Sequence, residues 1–522
     1  MPRPHRPAAP LGLVLDAASR APLHRQIFEQ VRRAILERRL APGQRLPSSR
    51  LMAGELDVAR GTVLLAMDQL IAEGYVVAQA ASGVAVATNL PDDMLTAPRD
   101  APTLRATANG RSVAPPLSRR ARAALADAAT GFGPEDAPIA FPIGQPDREA
   151  FPFALWARLL EREWRQPSWA VAGALHPFGH IGLRSAIADY LGAARGFSCA
   201  PESIVITSGV RQSLSLLAWL VLDPDDAAWI EEPGFIGTRE ALALAGVRAV
   251  PVPVDDSGFV VERAIAAAPQ ARLAVVAPSH HFPLGTVLSL QRRLELLSWA
   301  ERHGGWIAED DYDGEYRYAG RPLAPLRALD RSGRVAYLTS FSKLLFPALR
   351  LSYVVLPEAL VPAAEKRMAA IHARPSLLGQ GALARFIADG HMSAHIRRTR
   401  LLYAARGEAL IAGLERHLTH WLESAPDRAG TYLIARPVAA IASGFDDRAI
   451  VAAAARAGIA LAPLSASYAG RQRRQGLIIG YAGTPEAEID SGCAILARVL
   501  GDEGLRATPG PRSRRGAGRS HR

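Results

Sequence analysis

From Pro22 to Arg39, apolar residues recur at Leu23, Ile27, Val31 and Ile35, with Phe28 and Leu36 beside them. That spacing draws one stripe along an amphipathic helix. Pro42 and Gly43 break the pattern. A short second helix is expected to begin near Ser48, whose hydroxyl can cap it, and to end by Leu56. After a tight turn at Asp57–Val58, a third helix is expected to carry Val63, Met67, Leu70 and Ile71 inward and to stop at Gly74. The run YVVAQAASGVAVA then reads as two short strands around a turn at Gly83. Helix, helix-turn-helix and hairpin in about 65 residues describe a winged helix-turn-helix over residues 13–88, a module sized for one major groove.

The pattern then changes twice. Residues 89–136 are rich in Ala, Pro, Arg and Thr and show no sustained periodicity, so a linker is expected, with one helix near Ser118–Ala129. From 137 to 503, short β-branched runs alternate with longer helical stretches. Strands are expected at Ser203–Thr207, Ala228–Glu231, Val247–Val252, Leu273–Ala277, Trp306–Glu309, Val335–Leu338 and Leu351–Leu356. That rhythm predicts an α/β body with a mainly parallel sheet and helices on both faces. The Gly/Pro/Arg-rich run over 504–522 reads as a disordered basic tail.

Bulk properties narrow the setting. A chain of 522 residues is too long for one core. Hydrophobic content of 49 % and mean hydropathy of +0.05 describe a globular protein with large cores. No apolar run approaches the ~20 residues a membrane helix needs. The proline-broken start does not resemble a signal peptide, so a cytoplasmic address is expected. Cys199 and Cys493 are the only cysteines, which suggests neither a disulfide framework nor a cysteine metal site; no metal is expected. The net charge of +11 and pI near 10.1 permit a polyanionic partner without naming one. Of 61 basic residues only Lys343 and Lys366 are lysines, which makes each worth explaining.

Ligands of open α/β sheets bind beyond the carboxyl ends of the strands. There lie SGVRQ (208–212), EPGF (232–235), PSHHFPLG (278–285), DDYD (310–313) and SFSK (340–343). A partly desolvated lysine such as Lys343 can form a Schiff base with an aldehyde. Asp310, at a strand end, can hold a pyridine nitrogen protonated, the partner a pyridoxal-phosphate (PLP) ring needs to act as an electron sink. Tyr312 can hydrogen-bond the ring hydroxyl, and Phe235 can stack on the ring. SGVRQ opens a helix and presents free N–H groups to a phosphate. Ser340, Ser342 and Arg350 can complete that cup. Taken singly, these residues have ordinary readings as cap, core or surface; taken together at successive strand ends they read as a PLP site.

The run LPSSRLMAGELDVARGTVLLAMDQLIAEGYVVAQAASGVAV resembles the DNA-binding head of the GntR family. The resemblance implies that Arg50, Arg60 and Thr62 face DNA, with Gly83 in the wing. GVRQSLSLLAWLVLDPDD, EPGF, PSHHFPLG, WIAEDDYDGEYRYAGRPLAPLRALD, RVAYLTSFSKLLFPALRLSY and LIIGYAG resemble the body of MocR-type regulators, GntR-headed proteins whose body is similar to fold-type-I aminotransferases. The resemblance implies that Lys343 is the Schiff-base lysine, Asp310 the pyridine partner and Tyr312 the partner of the ring hydroxyl. It also implies that Ser340, Ser342, Arg350 and the backbone of Gly209, Val210 and Arg211 hold the phosphate, with Phe235 stacking on the ring. A homodimer with two heads on paired half-sites of a promoter operator is implied too.

The departures from that pattern concern the substrate. Phe282 stands where aminotransferases usually place an asparagine. His281 replaces the glutamine common in MocR-type bodies, and Ala174 is the nearest equivalent of an expected tyrosine. The strand that carries a substrate-carboxylate arginine in many aminotransferases reads GLIIGYAG, without one; Arg374, Arg471 and Arg473 are the candidates to replace it. The expectation is a PLP-dependent DNA-binding transcription regulator that senses PLP or an amine or amino-acid effector, with little or no turnover. The alternatives are a working aminotransferase tethered by its head, and a regulator whose body no longer binds PLP.

Overall fold

The computed structural model describes residues 11–16, 19, 21–79, 83–88, 90, 117–118, 140–165, 176–318, 324–371, 376–424, 429–470 and 473–502. The expected linker helix near Ser118–Ala129 and the tail after Asp502 lie outside the described residues, as do Ala174, Arg374 and Arg471. The chain divides into two compact units, 1–116 and 117–522.

In the first unit, α1 spans Leu23–Leu36, α2 Ser49–Glu55 and α3 Arg60–Ala72. The Ser48 hydroxyl caps α2 by accepting the Leu51 N–H at 3.3 Å. Asp57, at φ 51°, turns the chain between α2 and α3, and Gly74, at φ 80°, ends the third helix. Strands β1 (Val76–Gln79) and β2 (Gly83–Val86) pair antiparallel, Gln79 opposite Gly83. Gly83 therefore opens the second strand of the wing and is not the centre of its turn. The core takes Ile27, Phe28, Val31 and Ile35 from α1 and Val63, Ala66, Met67 and Leu70 from α3. Leu23, Leu36 and Ile71, expected on the inner stripes, are more than a third exposed. Ala66 occupies the inward position for which Ile71 was expected, because its i, i+3, i+4, i+7 row with Val63, Met67 and Leu70 faces α1.

In the second unit, eight strands form one sheet in the order β3-β10-β9-β8-β7-β4-β5-β6. They span Ile204–Thr207 (β3), Ala227–Glu232 (β4), Arg248–Asp255 (β5), Gly258–Phe259 (β6), Leu273–Val276 (β7), Trp306–Asp310 (β8), Val335–Ser340 (β9) and Ser352–Val355 (β10). The run β9-β8-β7-β4-β5 is parallel. β10 runs antiparallel between β9 and β3, and β6 antiparallel on β5. Side chains alternate between the faces: Ala336 and Leu338 of β9 join one core, whereas Val335 and Tyr337 point to the other side. Among the described residues a second, antiparallel sheet follows, in the order β11-β12-β14-β13: Leu422–Ser424, Tyr432–Pro437, Leu477–Gly480 and Ala462–Pro463. The 27-residue helix His391–His417 precedes it. β14 is the GLIIGYAG strand, whereas β11 and β13, of three and two residues, are too short for periodicity to announce them.

Candidate functional site

The register of the large sheet brings distant segments to one edge. Ser352, at the start of β10, lies opposite Thr207 at the end of β3 and opposite Ser340 at the end of β9. The antiparallel β10 thus sets SGVR, SFSK and Arg350 side by side, although about 130 residues separate the first two. The helix Val210–Val221 starts at this edge, and its first N–H groups, like those of any helix, have no partner within it. Gly209 precedes it in extended backbone. The Ser340 hydroxyl accepts from the Ser352 hydroxyl at 2.9 Å and from the Ser342 N–H at 3.2 Å, which leaves its own proton to donate outward. Arg350 is exposed, sits at a left-handed φ of 51° and has no ion pair among the described residues. A non-glycine residue in that region is infrequent and is found disproportionately at ligand sites. Arg211 instead pairs with Glu240 at 2.8 Å, its guanidinium 5.9 Å from the centre of the Phe235 ring.

At the ends of β8 and β9 the remaining groups converge. The Lys343 amine lies 3.8 Å from the centre of the Tyr312 ring. Burial lowers its pKa, against the opposing pull of Asp313 and Asp310. Asp310 is buried, and its Oδ1 has no hydrogen-bond partner. Burial pushes its carboxyl up to about 7, with Lys343 opposing and Asp313 adding to the rise. Phe282 bridges Phe235 and Tyr312 edge-on, at 6.2 and 6.4 Å between ring centres. Gly144, at φ 70°, comes from the segment before the first helix of the body; a side chain there would begin 3.5 Å from Lys343 Cε.

Sequence reasoning pointed to these segments but missed three contacts. His280 Nδ1 lies 2.8 Å from Asp313 Oδ2 and 3.2 Å from the Tyr312 hydroxyl. Tyr432, on the second sheet, meets the Tyr312 hydroxyl at 3.0 Å and donates to the His281 carbonyl at 3.3 Å. Glu231, at the end of β4, accepts the Ala277 N–H, and burial pushes its carboxyl up to about 8. His281, for its part, takes no part in the ring contacts. Its Nε2–H donates to the Pro233 carbonyl at 3.0 Å while Nδ1 accepts from Leu284 N–H, and burial lowers its pKa to about 3. It is a neutral structural imidazole. Only the strand-end rule marked PSHH beforehand; nothing in the sequence marked Tyr432, which lies 120 residues from Tyr312.

In the head, Arg60 opens α3 and its Nε donates to the Ser49 hydroxyl at 3.2 Å, tying it to the start of α2, where Arg50 is exposed. Thr62 is half-buried in the first turn of α3, and Gly83, at φ 94°, has open space around it.

A winged helix-turn-helix and a sheet whose edge gathers a half-buried lysine, a carboxylate oxygen lacking a partner and a helix N-terminus define a class: a DNA-binding head on a PLP aminotransferase-type body. Comparison with known proteins places the chain within it. Residues 23–86 match the gntR family of bacterial regulatory proteins, and residues 145–496 match aminotransferase class I and II. The chain is 41 % identical over 471 residues to the probable rhizopine catabolism regulatory protein MocR of Rhizobium meliloti, covering 90 % of this chain and 92 % of that one. It is 33 % identical over 403 residues to the pyridoxine biosynthesis regulator PdxR of Corynebacterium glutamicum, covering 76 % and 80 %. The body shares its fold with Pyrococcus horikoshii kynurenine aminotransferase (TM-score 0.64, 24 % identity, 76 % of this chain and 97 % of that one). This chain belongs to the MocR-type GntR regulators, with PLP as the cofactor of its body. The residues present fit that cofactor: Asp310 Oδ1, buried without a partner, is the acceptor a protonated pyridine nitrogen requires.

Proposed function

We propose that the chain is a transcription regulator that takes PLP covalently on Lys343 and changes its hold on operator DNA when PLP, or an amine competing for it, occupies the site. When bound, PLP supplies an aldehyde for amines and an electron-withdrawing ring. Asp310 would hold the ring nitrogen, Tyr312 the ring hydroxyl and Phe235 the ring face. Ser340, Ser342, Arg350 and the backbone of Gly209, Val210 and Arg211 would hold the phosphate. Arg50, Arg60 and Thr62 would meet DNA, with Gly83 in the wing. The domains would be a head over 13–88, a linker over 89–136, a body over 137–503 and a basic tail over 504–522, working in the cytoplasm. Two chains would act as a homodimer on paired half-sites. The two occupancy states must differ in DNA affinity for the ligand to act as a signal.

The observation that carries this reading is the buried Asp310 Oδ1, without a partner, beside a half-buried Lys343, in a chain that also carries a GntR head. Purified protein is expected to be yellow, and borohydride should fix the label on Lys343. Lys343→Ala should lose both the colour and the response of DNA binding to PLP or amines. Colourless protein that ignores added PLP would refute the reading of the body.

One observation bears on the enzyme alternative. Ile478, on the GLIIGYAG strand, is buried against Tyr312 and Tyr432. Arg473, the described candidate for a carboxylate clamp, is exposed and donates to the Gly470 carbonyl at 3.3 Å. GLIIGYAG carries no arginine, and a site that lacks such a clamp to orient an amino acid loses orders of magnitude in transamination rate. Little or no turnover is therefore expected. Multiple turnovers at roughly 1 s⁻¹ with common amino-acid and keto-acid pairs, with DNA binding indifferent to Lys343→Ala, would favour an enzyme.

A further inference from the structure

The outer face of α3 carries an unusual pair. Val63, Ala66, Met67 and Leu70 fill the core of the head, and on the opposite side Leu64 and Leu65 stand 41 % and 59 % exposed. Both belong to the first two turns of α3, the part of a recognition helix that reaches base edges. Leu64 lies one turn beyond Arg60, and Leu65 one turn beyond Gly61. Gly61 has nothing within 4 Å of where a side chain would begin, so the helix can approach a partner closely along this row. Arg60 flanks the patch at the start of α3 and is tied to Ser49, the neighbour of Arg50 in the sequence, and the first acidic side chain on α3, Asp68, comes only in its third turn. Basic flanks around an apolar centre suit a polyanion that offers an apolar group. In the major groove that group is the thymine methyl; the other base edges present donors and acceptors.

We infer that Leu64 and Leu65 are specificity-determining residues that read thymine methyl groups in the operator. The inference rests on the DNA-regulator reading and adds the sequence class of the site. One helical turn rises about 5.4 Å and one base step about 3.4 Å. A thymine contacted by the leucines therefore lies one to two base pairs from the pair met by Arg60. Each half-site should then hold an arginine-contacted guanine with a thymine one or two positions away.

The test uses the full-length PLP-loaded protein and a pool of random duplexes. After selection, each recurring thymine is replaced by deoxyuridine, which removes the methyl and leaves the pairing intact, and affinity is measured by fluorescence anisotropy. Losing a contacted methyl should weaken wild-type binding about fourfold per half-site, the worth of one buried methyl-sized group. Leu64→Ala/Leu65→Ala should bind thymine and deoxyuridine duplexes alike. Neither residue belongs to the core of the head, so the fold should hold. Wild-type indifference to every deoxyuridine overturns the inference and leaves the regulator reading standing. So does a double variant that keeps the discrimination; if its sedimentation also changes, the leucines serve a protein contact instead. Failure of the wild type to enrich any sequence overturns both.

Discussion

Asp310→Asn should pull stability and cofactor affinity in opposite directions. In the protein without PLP, Asp310 is a buried carboxyl held near 7, where an unburied aspartate titrates near 3.8. The value already includes the help given by Lys343. Because the folded-state pKa is raised, the folded chain keeps a proton that the unfolded chain has lost. Stability is therefore fully present below about 3.8, declines as pH rises and reaches its lowest level above about 7. At pH 8 the ionised group costs the folded state about 4 kcal/mol. An amide of the same shape avoids that charge but loses roughly 1–3 kcal/mol on burial. A net gain of roughly 1–3 kcal/mol remains at pH 8, and it turns into a loss of roughly 1–3 kcal/mol towards pH 4, where the carboxyl is neutral. With PLP the sign reverses, because the charge-assisted hydrogen bond to the ring nitrogen is lost, worth about 1.5–3 kcal/mol or roughly 10- to 150-fold in affinity. Thermal melts of apo and PLP-loaded protein at pH 5 and pH 8, with a PLP titration by absorbance, measure both effects. An apo variant less stable than wild type at pH 8, or one with undiminished PLP affinity, refutes the assignment of Asp310.

Arg60→Ala should weaken operator binding by about 1–3 kcal/mol while leaving PLP binding unchanged, as read by parallel anisotropy and absorbance titrations. Normal operator binding by both Arg60→Ala and Arg50→Ala would show that α3 does not dock as argued. His281, neutral in the fold with its pKa near 3, should make the protein lose stability as pH falls from about 6.5 towards 3, since only the unfolded chain takes up that proton. His281→Gln should flatten this acid limb by up to about 1.4 kcal/mol per pH unit, seen as converging melting temperatures at pH 5.5. Arg195→Met leaves Asp311 buried with only the Tyr337 hydroxyl, 2.6 Å away, and should cost about 3–5 kcal/mol in urea denaturation; a loss below 1 kcal/mol would show that the Arg195–Asp311 pair contributes little.

Much of the fold was legible because its signals are local. The stripes of α1 and α3, the Ser48 cap and the Gly74 stop follow from residue spacing and capping chemistry, and the structure contains them. All seven expected strands lie in the large sheet, since each is an apolar run long enough to read. The same locality explains the errors. Ile71 fits the inward row by spacing, yet it is the packing of α3 on α1 that selects Ala66 for the interior. Of the second sheet only the GLIIGYAG strand was expected; β11 and β13, of three and two residues, are too short to carry a period.

The sequence by itself determined which segments end strands, and so that Asp310, Tyr312, Ser340 and Lys343 gather at one edge of a parallel sheet. Tertiary structure decided which of them touch. The antiparallel β10 joins Ser340 to the start of the helix at Val210, and a strand's direction is set by its neighbours and not by its residues. Tyr432 reaches Tyr312 from β12 of the second sheet, and His280 is fixed between Asp313 and Tyr312 by closure of loops from β7 and β8. The unpartnered oxygen of Asp310 is likewise a property of the closed fold, because it is visible only once every neighbouring donor has been placed elsewhere.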